Sequence, residues 1–121
     1  MTLKEEIEKA TSAHARWKAS LKDAIESGLS LATASSMRSD HECRFGQWLR
    51  GSELDPAIRA SAHFLEVSRL HAEFHQAAAQ VIDLALAGRE FEALHSISRG
   101  GPFQEVSESL ILAMKHWHES L

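Results

Sequence analysis

The 121 residues carry 17 Asp and Glu against 13 Lys and Arg, a net charge of -4 with the eight histidines neutral, and 44% are hydrophobic. This length suits one domain spanning 1–121 with one core, and an acidic balance without a basic cluster argues against a nucleic-acid partner. No apolar run approaches the roughly 18 residues that cross a bilayer, and MTLKEEIEKA lacks the apolar stretch of a secretory signal. The lone Cys43 has no partner for an internal disulfide, so a cytoplasmic location is expected.

From the N-terminus, Ile7, Ala10, His14, Trp17, Leu21 and Ile25 recur at steps of three and four, which predicts a helix over about residues 3 to 28. Gly28 and the polar run SLATASSMRSD then read as a loop long enough to be mobile or functional. Asp40 is placed to cap a short helix from His41 to Arg50, with Gly51 as its stop. Asp55-Pro56 reads as a cap followed by proline at the first helical position, opening a long helix to about Leu86 with Gly88 after it. A last helical region begins near Arg89, is interrupted by Gly100-Gly101-Pro102, and resumes with Phe103, Val106, Leu110, Met114 and Trp117 on one face. β-branched residues are sparse and alternation is absent, so the expected fold is all-α: an antiparallel bundle of about four helices plus a short extra helix carrying the cysteine.

The long helix has two apolar lines. One holds Ala60, Phe64, Val67, His71, His75, Ala78, Ile82 and Ala85; the other holds Leu70, Phe74, Ala77, Val81 and Leu84, rotated by roughly 80 to 100°. So wide a face needs more than one packing neighbour, either within a broad core or in a second copy of the chain across a two-fold axis.

Within the first line lies HAEFH, residues 71–75, which places two imidazoles where a bundle wants leucines. Positions i and i+4 share a helix face one turn apart, a spacing that offers two nitrogens to one metal ion. His14 sits in the apolar line of the first helix, and Cys43 falls in the first turn of the short helix, where the positive helix end favours thiolate. Taken singly, His14 reads equally as a core histidine and Cys43 as a small hydrophobe. Taken together, His14, Cys43, His71 and His75 make a tetrahedral donor set suited to Zn²⁺. His41 is the competing donor, but two residues from Cys43 it points to another side of a helix.

The segments His14-Ala15-Arg16-Trp17, Cys43-Arg44-Phe45-Gly46-Gln47-Trp48 and His71-Ala72-Glu73-Phe74-His75, in this order and 29 and 28 residues apart counted from ligand to ligand, resemble the chemoreceptor zinc-binding (CZB) domain family. The resemblance implies a helical bundle, typically a homodimer, that controls a chemoreceptor or diguanylate cyclase output. It implies zinc held by His14, Cys43, His71 and His75. The residues around the ligands read as packing: Phe45 and Trp48 fasten the short helix over the site, and Gly46 permits its close approach.

Enzymatic alternatives fit poorly. In the metalloprotease HExxH the general base follows the first histidine directly, whereas Glu73 lies two residues after His71, roughly 200° around the helix. A four-ligand shell leaves no position for water. Of the ExxH pairs a di-iron bundle requires, only Glu92-Ala93-Leu94-His95 is present. No enzymatic activity is expected. A closed zinc site taken alone reads as a structural staple, whereas the family resemblance implies a sensory role, responding to zinc or to oxidation of Cys43. His63, His95, His116 and His118 are expected at the surface or rim.

Overall fold

The computed structural model of the chain describes residues 2–27, 44–51 and 54–121. Among them run seven helices and no strand: α1 (Leu3–Ala15), α2 (Trp17–Ser27), α3 (Arg44–Arg50), α4 (Pro56–Arg59), α5 (Ala62–Leu86), α6 (Glu90–Ser96) and α7 (Pro102–Glu119). The all-α bundle expected from periodicity is the fold observed. The loop after Gly28, the cap at Asp40, and the positions of His41 and Cys43 lie outside the described residues.

Two helices expected to be continuous are each divided. α1 starts at a reciprocal cap, where the Glu5 N–H donates to Thr2 Oγ1 at 3.2 Å and the Thr2 hydroxyl donates to the Glu5 carboxylate at 3.0 Å. At Arg16 the four-residue pattern lapses: its N–H donates to the Ala13 carbonyl, three residues back, and Ser20 N–H then picks up Arg16 O at 3.1 Å. Neither proline nor glycine marks this break, and the apolar line survives it, with Ile7, Ala10, His14, Leu21 and Ile25 all buried. The second division falls at Ala60-Ser61. Asp55 caps α4 through Ala57 N–H at 2.8 Å, with Pro56 at its first position, but the helix lasts four residues. Ser61 then caps α5 by accepting from Phe64 N–H at 3.2 Å. A serine hydroxyl competes with the helical backbone ladder for local hydrogen bonds, which favours a restart here over a continuous helix. Ala60, expected in the apolar stripe, consequently precedes the cap and is exposed.

The remaining boundaries follow the sequence closely. α5 closes with both bonds of a left-handed C-cap: Gly88 N–H to Ala85 O at 3.2 Å and Arg89 N–H to Leu84 O at 2.9 Å, with Gly88 at φ 80°. The break before α7 has Gly100 at φ 84°, Pro102 in the first turn, and the Phe103 N–H on the hydroxyl of buried Ser96 at 3.2 Å. At Gly101 a side chain has no room, because a Cβ there would overlap the carbonyl oxygens of His95 and Ser96.

α5 and α7 form the spine of the bundle and run antiparallel: Phe64 meets Trp117 at 6.2 Å between ring centroids, and ten residues further along α5 Phe74 meets Phe103 at 5.1 Å. α1 packs on α7, α2 on α5 and α6, and α6 on α5. Both apolar lines of α5 are filled by this one chain. Phe64, Val67, His71, His75, Ala78 and Ile82 are buried, and so are Leu70, Phe74, Ala77 and Val81. The width of the long helix is thus the mark of an intramolecular core flanked on several sides, and by itself says nothing of a second copy.

Candidate metal centre

The site lies where α1 ends and the middle of α5 passes it. His14, in the last turn of α1, and His71 and His75, one turn apart on α5, are only 1, 1 and 2% exposed. Their rings crowd together, with centroids 4.6 Å apart for His71–His75, 5.1 Å for His14–His71 and 6.1 Å for His14–His75. One ring nitrogen from each can be chosen so that all three lie within 4.8 Å of one another, and no other group of three metal-capable side chains occurs among the described residues. Sequence spacing brought the α5 pair together; the fold brings His14 to it.

The second half of each imidazole decides what the first can do. Nδ1 of His14 lies 2.8 Å from the Ala10 carbonyl. A carbonyl only accepts, so Nδ1 carries the proton and donates it, leaving Nε2 as the lone-pair nitrogen. Orientation of a ligand histidine by a hydrogen bond from its other nitrogen is the usual device of metal sites. Burial depresses the His14 pKa from 6.5 to about 4, against the raising effect of the Ala10 bond and with a smaller lowering contribution from His75. The ring is therefore neutral at physiological pH, the form in which imidazole binds a cation.

Aromatic side chains wall the cluster. Phe45 of α3 stands edge-on to His14 at 5.7 Å and to His71 at 5.3 Å, and stacks on Trp48 at 5.6 Å, which in turn meets Trp117 at 6.3 Å. As expected, Phe45 and Trp48 press the short helix onto the bundle, and Gly46 between them is buried. Two further aromatic residues, present in the quoted sequence segments but given no packing role there, also touch the cluster. Trp17 meets His75 at 5.3 Å, and Phe74 meets His14 at 5.1 Å. Their spacing held the signal: Trp17 is three residues from His14 and Phe74 lies within HAEFH, so each shares or borders a ligand face.

This donor set fits zinc. Three buried imidazoles in an aromatic-walled pocket, His14 among them held neutral by burial, match the ion's preference for nitrogen and sulfur. In a zinc tetrahedron the nitrogens stand about 3.3 Å apart, so nitrogens within 4.8 Å of one another need to close in by no more than about 1.5 Å. Of the four expected ligands, His14, His71 and His75 converge, while Cys43 lies outside the described residues. Glu73 takes no part. Its carboxylate pairs with Arg69 at 3.0 Å on the exposed side of α5, and Arg69 also holds Glu66 at 2.7 Å, so the protease-like reading of HAEFH has no general base. His63, His95 and His116 are exposed, and His118 is partly so, with Nε2 2.8 Å from Glu8 Oε1.

Comparison with known proteins bears on the same residues. The family model described as the chemoreceptor zinc-binding domain matches residues 14–82, beginning at His14 and including Cys43 and the HAEFH pair. No curated protein and no solved structure matches the chain.

Proposed function

The chain belongs to the chemoreceptor zinc-binding domain family, and from that premise we propose that it is a sensory input module. Its zinc would be held by His14, Cys43, His71 and His75, and its output would be a chemoreceptor or a diguanylate cyclase. The observation that carries this reading is the convergence of three buried histidines from two helices. The fourth ligand is supported by chain reach. Phe45 lies against His14 and His71, and Cys43 is two residues away, a span of at most about 7 Å. Three neutral nitrogens and one thiolate close a tetrahedral shell, which is the coordination of a non-catalytic zinc.

His14 lies on α1 and His71 and His75 on α5, and Cys43 directly precedes α3 in the sequence, so a metal held by all four would crosslink these parts of the chain. When bound, zinc supplies that tie and holds the cysteine as thiolate. Loss of the tie frees the segment ahead of α3 from the α1–α5 contact. Two inputs release it: a fall in available zinc, or oxidation of Cys43. Hypochlorous acid converts a thiolate to a sulfenic acid and is itself reduced to chloride, a two-electron step that weakens one of four ligands. The readout is the geometry of a cytoplasmic homodimer coupled to the output domain.

The test compares helix positions, by distances between paired spin labels on α1 and α5, and dimer affinity, by sedimentation, for the zinc-loaded, chelated and hypochlorite-treated protein. A sensor changes at least one of these on metal loss. Identical values in all three states would make zinc a structural staple.

A further inference from the structure

Next to the three-histidine cluster, toward the N-terminal end of α5, lies a cavity of about 340 Å³ lined by Leu49, Arg59, Phe64, Ser68 and His71. At about 30 Å³ per water, it holds the equivalent of roughly ten waters, room for a small ion with part of its hydration shell. Its polar walls are unusual. Arg59, the last residue of α4, lies with its guanidinium carbon 6.0 Å from the Phe64 ring centroid, and no carboxylate pairs with it among the described residues. The Ser68 hydroxyl is enclosed and makes no hydrogen bond, although a mid-helix serine ordinarily donates to the carbonyl one turn back.

We propose that this cavity is a binding site for a small inorganic oxyanion, held by the Arg59 guanidinium and the Ser68 hydroxyl against the wall formed by His71. The guanidinium is planar and presents paired N–H donors that match two oxygens of a tetrahedral anion. The Ser68 hydroxyl supplies a third donor after rotation about χ1, and that rotation sacrifices no existing hydrogen bond. Leu49 and Phe64 supply apolar walls beside these donors, and charge-assisted bonds are stronger there than in open water. Neither Arg59 nor Ser68 belongs to the metal shell, so the site shares one wall with the zinc centre and none of its donors.

The probe is inorganic phosphate, with sulfate as a second tetrahedral anion, titrated into the zinc-loaded protein at constant ionic strength against chloride. Heteronuclear NMR follows the Arg59 and Ser68 resonances. Saturable shifts at both are expected, with affinity at least tenfold lower in Arg59→Gln and several-fold lower in Ser68→Ala. Ser68→Ala removes a hydroxyl that bonds nothing, so it supplies a folded second arm if Arg59→Gln disturbs α4. Shifts that never saturate, or that are equal in wild type and both variants, would overturn the site. Metal analysis of the same samples separates the two readings: a zinc-free protein that still shows Arg59-dependent shifts refutes the metal centre and leaves the anion site standing.

Discussion

Acidification of the metal-free protein should cost stability through His14, and the size of the effect follows from its surroundings. In the unfolded chain the ring takes up a proton near pH 6.5, whereas in the folded chain burial delays this to about 4. Between those values the unfolded state binds the extra proton, so stability rises with pH; the contribution is complete above 6.5 and is lost as pH falls toward 4. A difference of about 2.5 in pKa, at about 1.36 kcal/mol for each tenfold step, amounts to ~3 kcal/mol. That is a large share of the roughly 5–15 kcal/mol by which domains are stable. The assay is urea denaturation in the presence of a chelator from about pH 7 to about pH 4, for wild type and His14→Leu. Wild type should lose ~3 kcal/mol more than the variant across the window. Parallel curves for the two proteins would refute the claim that His14 is held neutral by burial at this site.

Other substitutions probe the walls of the site and the turns that frame it. Phe45→Ala removes the ring that joins α3 to His14 and His71; a loss of about 3 kcal/mol in stability, near the lower end for a buried phenylalanine, is expected in chemical denaturation, with weaker zinc retention against a competing chelator. Gly101→Ala forces a Cβ into the His95 and Ser96 carbonyls and should cost about 2 kcal/mol or more by thermal unfolding, whereas Gly100→Ala, with open space but φ 84°, should cost only ~1 kcal/mol. Glu73→Gln should leave zinc affinity unchanged in a chelator competition, since the carboxylate serves Arg69; a marked loss of affinity would place it in the metal shell after all.

Much of this architecture could be read before folding. The three-and-four spacing from Ile7 to Ile25 located a buried helix face, Gly88 and Gly100-Gly101-Pro102 marked real turns, and HAEFH marked two of the three converging histidines. What could not be read lies partly in local hydrogen bonds that composition does not signal and partly in contacts between residues distant in sequence. The turn at Arg16 involves no helix breaker, and the restart at Ser61 depends on a hydroxyl capping Phe64 where a continuous helix satisfied the same periodicity. The second apolar line of α5 has the same sequence signature whether it faces a neighbouring helix or another chain; only the placement of α2 and α7 shows it buried within the monomer. The bond between His118 and Glu8, 110 positions apart, has no local signal at all. Spacing could show that His14 lies on an inward face, but its tautomer is set by the Ala10 carbonyl, a contact that requires the folded ring orientation.

X-ray absorption at the zinc edge, combined with metal analysis, tests most directly whether zinc is held in a closed shell of His14, Cys43, His71 and His75. One zinc per chain is predicted, with three nitrogen scatterers at about 2.0–2.1 Å and one sulfur at about 2.3 Å. Cys43→Ser should remove the sulfur signal and weaken retention, and the double variant lacking His71 and His75 should hold no zinc. Full zinc occupancy in that double variant, or a wild-type shell without sulfur, would contradict the account.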